Sequence, residues 1–272
     1  MFPRLETIGL PTWAAIVTAG VGLCWVLLLR RTTRLNYPTT RIYLWLLTAF
    51  PVGALGAGLL ASLVRLVIGD TGEVGNFGAN GMTVLGAVVA CGVYSWLYIR
   101  YVIGVPAAPL LDAAAFTYPL ALSFGRIGCL MNGCCYGTIA DGSLGPLTLT
   151  VGDLDPSTVG GAHYAGLAAD TVLWNLPIVL AICGLISLAI TELAYRKRAA
   201  WRLPPGGVLL VALLADSATR FFAEFLRQEA GVGALGLNPW QTVVLGFGFL
   251  GAATLWMMAR RHVATVAEPD RA

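Results

Sequence analysis

The residues best suited to chemistry lie in one short segment, 125–137, which contains an arginine, an asparagine, three cysteines and four glycines. Each glycine costs about 1 kcal/mol in a helix interior relative to alanine, so we expect the helix to break here. Free N–H groups at such a break, together with Arg126, suit a phosphate, and Asn132 adds a neutral donor and acceptor. The alternative is a small-residue packing surface from which Arg126 extends to lipid headgroups.

A second group of charges lies within the apolar segment 206–227. Its members recur at helical spacing and predict one polar stripe along a helix: Asp216, Arg220, Glu224 and Arg227. In a functional interpretation, Arg220 binds an anionic headgroup and Glu224 orients it or manages a proton. In a structural interpretation, the four charges form an ion ladder that holds the helices together. The two interpretations are compatible.

Histidines and clustered thiols are the remaining candidates. His163 lies near the end of the only long loop, 138–165, and is a candidate proton acceptor, although a single loop histidine is more often without function. Cys129, Cys134 and Cys135 permit a disulfide, with Cys129 paired to Cys134 or Cys135, because vicinal disulfides are strained. Free structural thiols are the other favoured state. Three thiols and a histidine would also suit zinc, but their irregular spacing makes a metal the weaker hypothesis.

The composition indicates which elements position these residues. The chain of 272 residues is 57% hydrophobic and 11% charged, whereas soluble domains carry roughly 25% charged residues. Long runs that are apolar on all sides predict an all-α integral membrane protein. We expect a single domain over residues 1–272, a bundle of seven transmembrane helices at about 12–29, 43–68, 81–103, 108–126, 166–191, 206–227 and 238–258.

The charges between the spans predict the orientation. Basic residues follow the first, third, fifth and seventh spans, whereas the other connections are acidic. By the positive-inside rule the N-terminus is outside and the C-terminus cytoplasmic. Residues 138–165 then form a small outer-face loop region. Arg126, Arg220 and Arg227 lie near the outer face, where that rule does not favour them, so a cavity or a ligand must explain them.

Two motifs in this order resemble the signature of the bacterial prolipoprotein diacylglyceryl transferases. The first is Gly125-Arg-Ile-Gly-x-x-x-Asn-Gly followed by Tyr136-Gly137, and the second is Arg220-Phe-Phe-Ala-Glu-Phe-Leu-Arg227. Supporting matches are Asp112 in the fourth span, Gly81-Met82 opening the third and Gln241 opening the seventh. The order of the spans matches as well, so the resemblance covers most of the chain.

The resemblance implies transfer of the diacylglyceryl group of phosphatidylglycerol to the lipobox cysteine of a prolipoprotein, in a multi-pass protein of the bacterial inner membrane. Phosphatidylglycerol, the lipobox peptide and membrane lipid are the expected partners, with no cofactor, metal or nucleic acid. Arg126 and Arg220 would hold the phosphate, Glu224 would orient Arg220, and His163 is a candidate base. Residues expected to bind the substrate or shape its pocket are Asn132, Gly137, Arg227, Gln241 and Cys129.

The chain also departs from the family pattern. Leu85 stands where the family usually has a third-span histidine, and Cys129 and Cys134 replace an asparagine and an acidic residue. Of the segment that usually reads histidine-proline-serine-glutamine, His163 alone is present. Two alternatives therefore remain: a non-catalytic homologue that binds anionic lipid or lipoprotein, and an outer-face thiol oxidoreductase. A transporter lacks the internal repeats that such folds show.

Overall fold

The computed structural model describes residues 4–5, 10–68, 84–227, 237 and 239–267, and these residues are mostly helical. Gly81 and Met82 lie outside them. The helices are α1 (Thr12–Arg34), α2 (Thr39–Ile68), α3 (Val84–Tyr98), α4 (Ala107–Ala114), α5 (Thr117–Met131), α6 (Val159–Tyr164), α7 (Leu176–Lys197), α8 (Gly207–Ala223) and α9 (Pro239–Ala267). The strands are β1 (Arg4–Leu5), β2 (Leu10–Pro11), β3 (Thr148–Thr150) and β4 (Val172–Trp174).

Five helical segments of the described chain are long and apolar enough to cross a membrane. They are Thr12–Arg34, Thr39–Leu60, Gly86–Ile103, Ala107–Met131 and Leu176–Lys197. Their surfaces agree with this interpretation: Leu55, Leu59 and Leu63, spaced by one helical turn on α2, are 56%, 60% and 57% exposed. Such a face requires an apolar surrounding. The prediction of a helical membrane protein is thus confirmed, whereas seven spans and their orientation stay predictions.

The chain forms two compact units, Trp25–Leu110 and Met1–Cys24 with Leu111–Ala272. In the first unit α2 packs against α3. Trp45 Nε1 donates to Ser95 Oγ at 3.0 Å across this interface. Arg41 Nη1 donates to the carbonyls of Val102 and Ile103 at 3.0 and 3.1 Å, at the end of a π-helical turn, Ile99–Ile103, that continues α3. A charged side chain thereby satisfies carbonyls that the helix end leaves without partners.

In the second unit α7 packs between α5 and α8, and α8 packs on α9. The carboxylate of Asp112 fixes the start of α8, because it accepts hydrogen bonds from the backbone N–H groups of Gly206 and Leu209 at 2.7 and 2.9 Å. A negative charge at a helix N-terminus is favourable. The core beside it consists of small side chains: Ala115, Ala194, Val208 and Ala212.

The segment between α5 and α7 folds as a small layer with its own core. β3 pairs with β4 in antiparallel register, Thr148 opposite Trp174. Four buried side chains form the core: Tyr136, Leu154, Tyr164 and Leu173. The prediction that the fifth span begins at 166 is wrong, because the apolar residues of β4 pair as a strand and α7 begins only at Leu176.

The predicted break in the glycine-rich segment is also placed wrongly. α5 runs through Gly125 and Gly128 without interruption and ends at Met131. The backbone N–H groups of Asn132, Gly133 and Cys134 then donate to α5 carbonyls at 3.0, 3.1 and 3.2 Å. The free N–H groups that we expected for a phosphate are therefore used by the helix end, and recognition of an anion must rely on side chains.

Candidate functional site

The end of α5 and the turn that follows it border a small cavity of about 190 Å³. This volume is below the ~300–1,000 Å³ of pockets for drug-sized ligands, so it suits a headgroup rather than a whole lipid. Its polar lining is Arg126, Cys134, Cys135, His163 and Arg227. Its largest side chains otherwise are Tyr136, Tyr164, Leu176 and Leu180. Two cations and no carboxylate line it among the described residues, which favours an anionic ligand.

Arg126 is the central charge of this site. Its side chain is partly buried on the last turns of α5. Among the residues that the structure describes, its guanidinium has no hydrogen bond and no carboxylate within salt-bridge distance. A partly buried cation of this kind is costly unless it meets an anion. Arg126 is therefore the group most available to a ligand.

His163 lines the cavity because hydrogen bonds hold α6 against the turn after α5. The backbone N–H of Gly160 donates to the carbonyl of Gly133 at 2.9 Å, and Tyr164 Oη donates to the carbonyl of Gly137 at 2.9 Å. His163 itself is exposed and packs edge-on against Tyr164, with 4.8 Å between the ring centroids. The loop histidine and Arg126 thus share one cavity.

Gly137 holds the end of α8 against the same turn. Its N–H donates to the carbonyl of Trp174, and the N–H of Thr138 donates to the carbonyl of Leu226, both at 2.9 Å. A Cβ atom at position 137 would collide with the Leu226 carbonyl, so the approach requires glycine. The contact places Arg227, the next residue, in the cavity wall.

The polar stripe of α8 divides into two pairs. Arg220 Nε donates to Asp216 Oδ2 at 2.8 Å, and Tyr118 Oη donates to the same oxygen at 2.7 Å. Arg227 Nη1 lies 3.5 Å from Glu224 Oε1. Glu224 was expected to orient Arg220, but in the structure its nearest ion-pair partner is Arg227. Asp216 is the group that orients Arg220.

Glu224 has one unusual property. Its side chain is 16% exposed, and its Oε1 atom is buried and accepts no hydrogen bond from any described residue. Buried carboxylate oxygens are normally satisfied. The same atom is the one that lies 3.5 Å from Arg227 Nη1, so the ion pair is its polar contact among the described residues.

The thiols of the cluster influence each other. The Sγ atoms of Cys129, Cys134 and Cys135 all lie within 4.8 Å of one another, and all three cysteines are free. Hydrogen bonds from Cys129 and Cys134 lower the pKa of Cys135, and Arg126 and Arg227 add electrostatic attraction for its thiolate. The pKa of Cys134 is raised by its hydrogen bonds to the other two thiols and by burial. The two arginines thus favour a thiolate in this cluster.

The other predicted residues lie elsewhere. Asn132 is exposed, with Nδ2 3.9 Å from Cys134 Sγ. Gln241 is 2% exposed, and its Nε2 donates to the carbonyl of Phe221 at 3.5 Å. Within the described chain neither lines the cavity, and neither do Arg220 and Cys129.

Tyr118 is a residue of the site that the sequence analysis missed. It lies close enough to Arg126 and Arg220 to interact electrostatically with both, so it links the two arginines. The sequence could have indicated this residue, because a tyrosine hydroxyl buried in an otherwise apolar span usually has a polar partner.

A family model described as prolipoprotein diacylglyceryl transferase matches residues 2–258. Several similar proteins carry the name phosphatidylglycerol–prolipoprotein diacylglyceryl transferase. One from Chlorobaculum tepidum is 27% identical over 214 residues, 76% of this chain and 66% of that protein. One from Dehalococcoides mccartyi is 30% identical over 170 residues, 62% of this chain and 58% of that protein. One from Clostridium perfringens, whose name ends in the numeral 2, is 26% identical over 263 residues, 92% of each chain. The chain spans less than two thirds of the length of the first two relatives.

Proposed function

Because this chain belongs to the prolipoprotein diacylglyceryl transferase family, we propose that it transfers the diacylglyceryl group of phosphatidylglycerol to the lipobox cysteine of a prolipoprotein. The bond between the glycerol carbon and the phosphate oxygen breaks, and a thioether bond forms between that carbon and the cysteine sulfur. Glycerol phosphate leaves, and the thiol proton passes to a base. One observation carries the proposal: Arg126, which has no acidic partner among the described residues, lines a headgroup-sized cavity together with Arg227.

Arg126 and Arg227 bind the phosphate of the lipid in this mechanism. Paired guanidinium groups suit a phosphate because each offers a planar set of donors. As the carbon–oxygen bond breaks, negative charge accumulates on the departing phosphate, and cations fixed beside it stabilise that charge more than they stabilise the substrate. Cys129 and Asn132 lie beside the lining residue Cys134, and we assign them to the binding of the acceptor peptide.

Arg220 does not line the cavity but contributes to its electrostatic potential. Asp216 and Tyr118 fix its guanidinium, and its positive charge adds to the potential that an anionic headgroup meets. Gln241 supports the same helix through the carbonyl of Phe221. Glu224 orients Arg227 through the ion pair between Oε1 and Nη1.

His163 is the proposed base. The third-span position of the family's histidine is Leu85 here, whereas His163 lines the cavity and is exposed to the approaching peptide. A histidine removes a thiol proton effectively because its ordinary pKa lies near neutrality. The thiolate is the nucleophile of the transfer.

The membrane arrangement follows the charge distribution. We propose seven spans in the bacterial inner membrane, with the N-terminus outside, the C-terminus cytoplasmic and the cavity at the outer face. Arg196 and Lys197 at the end of α7 fit a cytoplasmic position, because basic residues concentrate on that side. Phosphatidylglycerol and the lipobox peptide would then meet the site from the membrane.

The deciding experiment reconstitutes the full chain in phosphatidylglycerol vesicles and adds a lipobox peptide. The wild-type protein releases glycerol phosphate and forms a thioether-linked peptide. We expect Arg126→Ala to lower the rate by at least about a hundredfold, because a charge-stabilising donor is lost from the transition state. Arg196→Ala, an exposed arginine on α7, is the matched control and leaves the rate unchanged.

Each alternative has its own outcome in this assay. Binding of phosphatidylglycerol without any release would contradict transfer and identify a non-catalytic homologue. Release that survives both Arg126→Ala and Arg220→Ala would contradict the site. Disulfide exchange by the wild-type protein that disappears in a cysteine-to-serine triple variant would instead support the thiol oxidoreductase. His163→Ala tests the base separately, through the pH dependence of the rate.

A further inference from the structure

Three thiols within a segment of seven residues come together at the end of α5. Cys129 lies in the last turn of the helix, and Cys134 and Cys135 follow it in the turn. All three Sγ atoms lie within 4.8 Å of one another, and those of Cys134 and Cys135 are 3.6 Å apart. The three cysteines are free thiols. Their spacing along the sequence is irregular, but the distances between their sulfur atoms are those of a set of metal ligands.

The backbone turns sharply to achieve this arrangement. Gly133 and Cys135 both have φ of 66°, a left-handed conformation. Glycine adopts it readily, but a residue with a side chain rarely does. Cys135 therefore occupies an unfavourable conformation that returns its thiol toward the helix. Strained residues of this kind concentrate at functional sites.

The surroundings of the cluster suit anionic sulfur. Arg126 and Arg227 line the same cavity as Cys134 and Cys135, and Asn132 Nδ2 lies 3.9 Å from Cys134 Sγ. Cations and a donor around the sulfurs offset the charge of several thiolates in one place. The thiols of Cys134 and Cys135 are therefore accessible from the cavity.

We propose that Cys129, Cys134 and Cys135 bind one thiophilic metal ion, of the zinc(II) or copper(I) class. Soft thiolate ligands select these metals. Metal–sulfur bonds of about 2.3 Å to three corners of a tetrahedron place the sulfurs about 3.8 Å apart. The observed separations require shifts of about 1 Å or less from this geometry. Binding displaces the thiol protons into solvent. This inference goes beyond the proposed transfer and does not depend on it.

A disulfide is the rival state of the same thiols. It requires a sulfur–sulfur distance of about 2.05 Å and the loss of two electrons to an oxidant. It would also leave the third thiol alone, whereas a metal ion uses all three. The convergence of three sulfurs rather than two is the observation that favours the metal.

The test uses the full chain purified in detergent with a reductant and without chelator. One sample is titrated with Co²⁺, a spectroscopic probe for the zinc class, and followed by its thiolate-to-cobalt charge-transfer absorption. A second sample is titrated with Cu⁺ against a competing chromophoric chelator. We expect one equivalent of one of the two ions to bind, and each of Cys129→Ser, Cys134→Ser and Cys135→Ser to weaken binding by at least about tenfold.

Cys183→Ser is the matched control, because Cys183 lies on α7 with its thiol near the carbonyl of Thr219, and it leaves binding unchanged. X-ray absorption of the wild-type complex adds a measurement that needs no variant: three sulfur neighbours at about 2.3 Å are expected. The proposal would be overturned if neither ion bound, or if binding survived in the cysteine-to-serine triple variant. A disulfide between these cysteines that persists in the presence of the reductant would also overturn it. A protein that binds the metal ion but does not transfer the diacylglyceryl group would leave the metal proposal intact.

Discussion

The C-terminal parts of α5 and α8 each carry an arginine, but the two charges have different surroundings. Arg220 on α8 has its own carboxylate, Asp216, at 2.8 Å, and Tyr118 donates to the same oxygen. Arg126 on α5 has no such partner among the described residues and lines a cavity instead. One arginine is balanced within the protein, and the other is left for a ligand.

Because the two arginines differ in this way, removing the partner of Arg220 should affect stability, whereas removing Arg126 should affect ligand binding. A balanced buried pair costs little as long as both partners are present, but removal of one leaves an uncompensated charge. A charge that faces a cavity contributes little to folding, and its removal affects what the cavity binds. The proposed anion site therefore combines both types: Arg220, which is balanced by Asp216 on the same helix, and Arg126, which has no carboxylate partner in the described part of the chain and which we propose to bind the phosphate.

The strongest test of the difference between Arg126 and Arg220 is to remove the carboxylate partner of Arg220. Asp216→Ala should destabilise the protein by about 3 kcal/mol, because the guanidinium of Arg220, 24% exposed, loses its carboxylate in a poorly hydrated place. Arg126→Ala should change stability by less than about 0.5 kcal/mol. The free energy of unfolding is measured by SDS titration in mixed micelles.

Two controls accompany this measurement. Asp170→Ala removes an exposed carboxylate and should have no measurable effect. The double variant Asp216→Ala, Arg220→Leu removes both charges and should recover most of the lost stability. Equal destabilisation by Arg126→Ala and Asp216→Ala would abolish the distinction between the two arginines.

A smaller effect is expected when the charge of Arg126 is kept but its shape is changed. Arg126→Lys should lower the rate of transfer by about tenfold, because a lysine ammonium cannot bind a phosphate through two parallel hydrogen bonds. Stability should not change. The rate in phosphatidylglycerol vesicles measures the effect, with Arg196→Lys as the control. A full wild-type rate would mean that Arg126 supplies only a general positive potential.

The smallest effect concerns the hydroxyl of Tyr118. Tyr118→Phe should cost about 1 kcal/mol of stability, because one hydrogen bond to Asp216 Oδ2 is lost while the ring remains. In the Asp216→Ala background the same change should cost nearly nothing, since the acceptor is already gone. Additive effects in the two backgrounds would show that Tyr118 and Asp216 do not act together.

Helical periodicity was sufficient to predict the pairing on α8. Asp216 and Arg220 are four residues apart, and a helix places such residues side by side whatever surrounds them. The glycine-rich motif likewise pointed to Arg126. These predictions depended on local geometry, which spacing along the chain determines.

The rest of the site depends on contacts that spacing does not encode. Cys135 reaches Cys129 only through a left-handed turn, a conformation that cysteine itself does not signal. Arg227 lines the cavity because Thr138 bonds to Leu226. The segment 172–174 looked like the start of a span because its composition is apolar, and pairing with β3 made it a strand. Tertiary partners decided each of these cases.

The bond between Thr138 and Leu226 also has a consequence for the order of assembly. It joins segments on either side of α7 and α8, so the cavity wall cannot close before the residues that follow α8 have been synthesised. The α5 end, with its arginine and thiols, is therefore complete well before its opposite wall exists. During biogenesis the newly inserted protein passes through a stage in which these groups are open to the surroundings, and the site is among the last parts of the molecule to mature.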